Sequence, residues 1–310
     1  MTTQPAVDAV GVTKRFGAVL AVDDISIQVA PGEVYGVLGP NGAGKTTFLR
    51  MLFGLIRPDA GEITVFGRTW DRDGIAVMDG VAGFIESPRF YPYLTGRQNL
   101  EGLARLDGGV RDGLVDEVLA IVDLADRADR RVGGYSYGMR QRLGVAACLL
   151  REPKLLVLDE PANGLDPGGI RDMRALVKSL AASGLSVLLS SHHMDEVEEI
   201  CDNVTIMSRG KVAFHGTVDA LREMAPDPGY TLRTSDDDRA AALPGRPADV
   251  AVTRDPDTYG ITAVGPEHSI SAYVAALVAA GIELRELTPL QTPLEHLFFM
   301  LTDSEPEVTR

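Results

Sequence analysis

Gly39-Pro40-Asn41-Gly42-Ala43-Gly44-Lys45-Thr46, entered from the apolar run Val34 to Leu38 and left through the helix-like stretch Thr47 to Leu55, decides the fold of this chain. A strand that feeds a glycine-rich turn and then a helix is the setting a phosphate-binding P-loop requires. The glycines let backbone N–H groups turn inward around an anion. The helix N-terminus adds partial positive charge, and Lys45 reaches the terminal phosphates. Asn41, Gly42, Gly44, Lys45, Thr46 and Thr47 are therefore the candidate phosphate contacts, with Thr46 also placed to ligate Mg2+.

Two further apolar runs end in polar chemistry. Leu155 to Leu158 is followed by Asp159-Glu160-Pro161, and Ser186 to Leu189 by Ser190-Ser191-His192-His193. Buried parallel strands bind ligands at their C-terminal ends. There Asp159 would hold the Mg2+ shell, while Glu160 would orient a water attacking a γ-phosphate and accept its proton. Short apolar runs alternate with helix-like segments from Val34 to Ser208, the pattern of an α/β fold with a mostly parallel sheet. Ala6 to Lys14, Val22 to Val29 and Glu62 to Phe66 alternate instead, predicting a flanking antiparallel layer. Residues 86–150 read as a helical arm, with Ser136 at a helix N-cap ahead of Met139, Leu143, Ala146 and Leu150. Val204 to His215 reads as a hairpin around Arg209-Gly210.

The breaker cluster Ala225-Pro226-Asp227-Pro228-Gly229 predicts two domains, 1–228 and 229–310. The second reads as a small α+β domain. Its expected strands lie near Tyr230 to Thr234, Asp249 to Arg254, Thr258 to Val264 and Ile282 to Leu287, with helices near Ser269 to Ala280 and Pro293 to Thr302. A formal charge of −14, from 44 acidic and 30 basic residues, disfavours a nucleic-acid partner. Cys148 and Cys201 have apolar neighbours and no metal-ligand spacing, which suits a reducing compartment. Met1 to Asp8 lacks the charged and apolar regions of a secretory signal. The apolar stretches Val145 to Leu150 and Ala272 to Ile282 are too short to cross a bilayer.

On these motifs the chain resembles the ATP-binding-cassette ATPases over about residues 6–220. The resemblance implies a P-loop NTPase core with ATP and Mg2+ as cofactors. It implies that His192 contacts the γ-phosphate and that Phe16, in Lys14-Arg15-Phe16-Gly17, stacks on adenine; a core or turn phenylalanine is the alternative. Asp166, in Asn163-Gly164-Leu165-Asp166-Pro167, matches a residue at the interface of two cassettes. The family's signature segment appears as Tyr135-Ser136-Tyr137-Gly138-Met139, a departure from Leu-Ser-Gly-Gly-Gln that keeps Ser136 and Gly138 and places Met139 last. Where the family carries a magnesium-binding glutamine this chain has Glu86, and a carboxylate can still ligate Mg2+.

The run Glu86 to Gly96 resembles the branch containing bacitracin-type and other drug-resistance exporters. There Phe90, Tyr91 and Tyr93 would grip a cytoplasmic helix of a membrane subunit; packing inside the helical arm is the alternative. One P-loop and one signature segment per chain imply that catalysis needs a second cassette, expected to be a second copy. The expected partners are separate integral membrane permease subunits, with the chain at the cytoplasmic face of the membrane. An importer ATPase with a regulatory C-terminal domain and a soluble cassette ATPase are the competing functions. Asp236-Asp237-Asp238 reads as a solvated acidic turn, and His215, His268 and His296 have no metal spacing. Leu294, Leu297, Phe298 and Leu301 form an apolar stripe suited to core or subunit contact.

Overall fold

The computed structural model describes residues 4–254 and 260–302. They form two compact units that divide between Val218 and Asp219, the second running to Met300.

The first unit opens with two long antiparallel strands, β1 (Val7–Phe16) and β2 (Val19–Val29). β3 (Val34–Leu38) leads through the P-loop into α1 (Lys45–Leu52). Then come β4 (Ala60–Val65), β5 (Arg68–Thr69), the short α2 (Trp70–Asp73) and β6 (Val81–Phe84). The helical arm is α3 (Gly96–Leu106), α4 (Leu114–Ile121) and α5 (Tyr137–Leu149). After it follow β7 (Leu155–Asp159), α6 (Pro167–Ala182), β8 (Ser186–Ser191), α7 (Met194–Ile200), β9 (Asn203–Ser208) and β10 (Lys211–Thr217).

A four-stranded antiparallel sheet runs β2-β1-β4-β5, and a six-stranded sheet runs β10-β9-β3-β8-β7-β6. In the larger sheet all pairings are parallel except that of β10 with β9. Every residue of β3, β7 and β8 is buried, as central parallel strands covered on both faces must be. β1 and β2 send Val7, Ala9, Val12, Ile25 and Ile27 into a core shared with Phe48, Leu49 and Leu52 of α1. α1 therefore ties the antiparallel layer to the parallel sheet while carrying the P-loop at its N-terminus.

Local chemistry fixes the helix starts. Thr95 and Gln98 form a capping box on α3, Ser136 caps α5, and Asp166 caps α6 ahead of Pro167. One strand was not expected from the sequence. Val81-Ala82-Gly83-Phe84, broken by a glycine, does not read as a strand, yet pairing with β7 makes β6 the edge of the sheet. The hairpin expected at 204–215 is present as β9 and β10, and β9 also lies parallel against β3, which adds the pair to the larger sheet.

The second unit comprises α8 (Val218–Glu223), which begins at the division, β11 (Gly229–Thr234), α9 (Asp237–Ala241), β12 (Ala251–Thr253), β13 (Ile261–Val264), α10 (Glu267–Ala279), β14 (Leu284–Pro289) and, as far as Met300, α11 (Pro293–Thr302). The breaker cluster at 225–229 is the turn between α8 and β11. Its antiparallel sheet, β12-β13-β11-β14, buries Leu232, Ile261 and Ala263 against Ile270, Tyr273 and Leu277 of α10. The Tyr273 hydroxyl satisfies itself on Ala240 O at 2.8 Å. Thr258, at the start of one expected strand, lies outside the described residues. The acidic triplet is not a solvated turn: Asp236 caps α9 by accepting from Arg239 N, and Asp237 accepts from Thr234 N and Oγ1. Among the described residues no helix is long and apolar enough to cross a membrane.

Phe48 has no exposed surface and sits where both layers meet α1. Phe48→Ala is expected to lower the unfolding free energy by about 3–5 kcal/mol in urea titration.

Candidate functional site

The carboxyl ends of β3, β7 and β8 deliver the P-loop, Asp159-Glu160 and Ser190-Ser191-His192 to one edge of the sheet. Strand order β3-β8-β7 makes the three segments neighbours, although they are far apart in sequence. At the mouth lies a cavity of about 380 Å3 lined by Asn41 to Thr47, Glu160, Arg209 and Val19 to Ala21 of β2. Gly44 begins α1 at φ 107°, and a Cβ there would lie 2.4 Å from Ala21 O, so only glycine fits.

Lys45 is 4% exposed. Its ammonium donates to Gly39 O at 2.6 Å and Pro40 O at 3.3 Å, and lies 3.2 Å from Glu160 Oε1. A buried cation needs such company, since desolvation without a partner costs several kcal/mol, on the order of a whole buried hydrogen-bond network. Thr46 Oγ1 donates to Asp159 Oδ2 at 3.1 Å. Ser190 Oγ donates to Asp159 Oδ1 at 2.5 Å and accepts from Glu160 N at 3.0 Å, so one hydroxyl fixes both acids. That bond helps hold Glu160 at φ 47°, a left-handed conformation unfavourable for a residue with a side chain.

Glu160 Oε2 accepts from Asn163 Nδ2 at 3.1 Å and lies 3.0 Å from His192 Nδ1. His192 Nδ1 completes no hydrogen bond of full geometry, and its link to Glu160 is this short-range contact. His192 first, then Lys45, hold the Glu160 carboxyl at about 2, against the desolvation that opposes them. In return Glu160 raises His192 above its ordinary value, again against desolvation. The cradle is thus a closed cluster in which Lys45 and His192 flank one carboxylate, with Asp159 and Thr46 beside it.

Thr46 and Asp159 are hard oxygen donors in mutual contact, and they fit a divalent cation. Glu86 differs from the expectation placed on it. It sits at φ 65° with Oε1 2.7 Å from Arg50 Nη2, and among the described residues no hydrogen bond or ion pair joins it to Thr46 or Asp159. Its carboxylate follows the nearest cation, Arg50 of α1. Phe16 is 49% exposed at the end of β1, with Lys14 Nζ 5.6 Å from its ring centroid, which removes the core reading. It does not line the cavity, whose wall on that side is Val19 to Ala21 of the adjoining strand.

Ser136 is exposed at the start of α5, its Oγ accepting from Met139 N at 3.2 Å, and Gly138 follows in the first turn. Asp166 is exposed and accepts from Gly169 N at 3.1 Å. Tyr91 and Tyr93 are 62% and 64% exposed, outside the arm's core, whereas Phe90 lines a groove of about 420 Å3 with Phe84, Pro88, Leu103 and Cys148. Ser190 and Asn163 carry roles the sequence reading did not assign. Each lies within a quoted motif, and alternation along β8 is the signal that separates Ser190, aimed at Asp159, from its neighbour.

A family model described as ABC transporter matches residues 22–163. A bacitracin transport ATP-binding protein of Bacillus licheniformis is 37% identical over 93% of this chain and 94% of its own. A daunorubicin resistance ATP-binding protein of Streptomyces coeruleorubidus is 38% identical over 98% of each chain. Among solved structures, a protein of Clostridium perfringens described as part of an ABC transporter complex shares the fold with a TM-score of 0.66, at 24% identity, over 71% of this chain and 92% of that one.

The Glu160–His192 contact sets a pH window. Glu160's contribution to stability is present above its ordinary 4.5 and is lost as pH falls towards about 2. The same contact seen from His192 is fully present below its ordinary 6.5 and is lost as pH rises through the raised value. The wild-type advantage in Tm over Glu160→Gln is therefore expected to be largest between pH 4.5 and 6.5. By NMR, His192 should titrate above its ordinary value and fall back towards it in Glu160→Gln.

Proposed function

The chain belongs to the ABC transporter family of ATP-binding proteins, and we propose that it hydrolyses ATP as the motor of an exporter of drug-like or other amphipathic compounds. Two copies close around two Mg-ATP and drive separate membrane subunits. The observation that carries the catalytic part is the convergence of Lys45, Thr46, Asp159, Glu160 and His192 on one cavity beside a P-loop. The bacitracin and daunorubicin relatives, matched over nearly the whole chain, support the exporter part.

ATP phosphates on the P-loop receive the backbone N–H groups of residues 41–47 and the Lys45 ammonium. Mg2+ held by Thr46 and Asp159 would neutralise charge developing on the phosphates; Glu86 joins it only by leaving Arg50. A carboxyl held at about 2 is a poor proton acceptor. As the γ-phosphate draws Lys45 and His192 to itself, Glu160 loses the cations that depress it, and its basicity rises where the attacking water sits. The residue thus becomes a useful base only once substrate is in place.

The exposed α5 N-terminus, with Ser136 and Gly138, supports a role on the γ-phosphate held by the other copy, since helix N-termini favour anions. Asp166 belongs to the same contact between copies. The groove at Phe90, flanked by Tyr91 and Tyr93, has the aromatic character of an interface hot spot for a membrane subunit's cytoplasmic helix.

The test is steady-state ATPase and ATP-dependent dimerisation of the purified chain with Mg2+. Glu160→Gln is expected to slow turnover by about 10^2- to 10^4-fold while keeping ATP and accumulating as dimer. Lys45→Ala is expected to lose ATP binding itself. Wild-type protein that neither hydrolyses ATP nor dimerises with its membrane partner supplied would overturn the reading.

A further inference from the structure

Tyr137, the residue between Ser136 and Gly138, stands where the sequence departs from the signature pattern, and its side chain is committed within its own chain. Its hydroxyl lies 2.7 Å from Ser87 Oγ and receives Gln141 Nε2 at 3.0 Å. With Gln141 donating to it, the phenol either gives its proton to Ser87 or accepts from the Ser87 hydroxyl. Gln141 is 3% exposed, its amide N–H given to Tyr137 and its Oε1 without a hydrogen-bond partner among the described residues. The Arg140 guanidinium covers the ring at 5.8 Å, and Tyr137 Cε1 would be 3.6 Å from a Cβ on Gly164, which begins the turn towards Asp166.

Ser87 belongs to the segment that leaves β6, and that segment is anchored on both sides. Glu86, left-handed at φ 65°, pairs with Arg50 on the P-loop helix. Pro88 presses on α5 so closely that a Cβ on Gly144 would lie 2.4 Å from its Cγ. The path from α1 through Arg50, Glu86 and Ser87 to Tyr137 therefore joins the phosphate cradle to the helix whose N-terminus carries Ser136. The Arg50–Glu86 step is an exposed ion pair and weak. The Ser87–Tyr137 step is a directed hydrogen bond supported from behind by Gln141.

We propose that Tyr137 is a positioning residue whose hydroxyl, through Ser87, makes the N-terminus of α5 move with the segment 84–88. Glycine, which the signature pattern carries at this position, has no side chain to make such a bond, whose length and direction tie the two segments. The proposal deepens the motor reading and rests on it for the catalytic arm of its test alone.

The test pairs Tyr137→Phe, which deletes only the oxygen, with Ser87→Ala, with the double variant and with Ser87→Thr, which keeps a hydroxyl. In the nucleotide-free full chain, hydrogen exchange of amides at 84–88 and at 137–140 is expected to rise together by about two- to tenfold in either single variant, the scale of one hydrogen bond. The double variant should match the singles, and Ser87→Thr should match wild type. With Mg-ATP, kcat should fall by a similar factor while KM is unchanged. Wild-type exchange in Tyr137→Phe, loosening of only one segment, additive effects in the double variant, or faster exchange throughout with a lowered Tm would each overturn the proposal. Should the wild type hydrolyse no ATP while the exchange pattern holds, the motor reading fails and the tie through Tyr137 stands.

Discussion

A lysine ammonium buried under its own loop is the constraint from which the site takes its form. Lys45 is 4% exposed and survives there because two P-loop carbonyls and Glu160 surround it. That arrangement needs a turn whose carbonyls face inward, a helix beginning at the lysine, and a carboxylate delivered from another strand. The β3-β8-β7 order supplies the last of these, and Ser190 on the intervening strand locks the two acids to each other. Fold and site are one problem here, because the cation at the centre is stable only if three distant segments meet.

The charge cluster also bears on the proposed role of Glu160 as a base, since its carboxyl is held low by His192 and Lys45. Glu160 is stabilised by the groups that substrate phosphates attract most strongly. On the proposed mechanism, a phosphate that drew those groups to itself would raise the basicity of the carboxylate. Its left-handed backbone belongs to this scheme: the bond from Glu160 N to Ser190 fixes the turn that points the carboxylate at Lys45 and His192 rather than along the strand.

Most of the parallel core was legible because its strands are short apolar runs ending in chemistry. Val34–Leu38 and Pro293–Thr302 begin and end where the sequence places them. The edge strand at 81–84 was not legible, since its partner β7, rather than its own composition, makes it a strand. Within the site, the P-loop, Asp159, Glu160 and His192 were readable from strand-end position. Side-chain direction was not: nothing local says that Glu86 turns to Arg50, that Phe16 stays out of the cavity lining, or that Tyr137 reaches Ser87. These depend on which elements become neighbours, and that is settled only when the sheet order is known.

Gly44 illustrates how constraint can outlive its original reason. Its place in a phosphate loop suggests that it is kept for the nucleotide, yet the atom that forbids a side chain is Ala21 O, a backbone carbonyl of the antiparallel layer. A descendant that had abandoned nucleotide chemistry altogether would still be held to glycine at this position by its architecture. Retention of the loop's glycine in a drifting lineage therefore records an inherited scaffold, whereas loss of Lys45, whose burial needs Glu160, would record the abandonment itself.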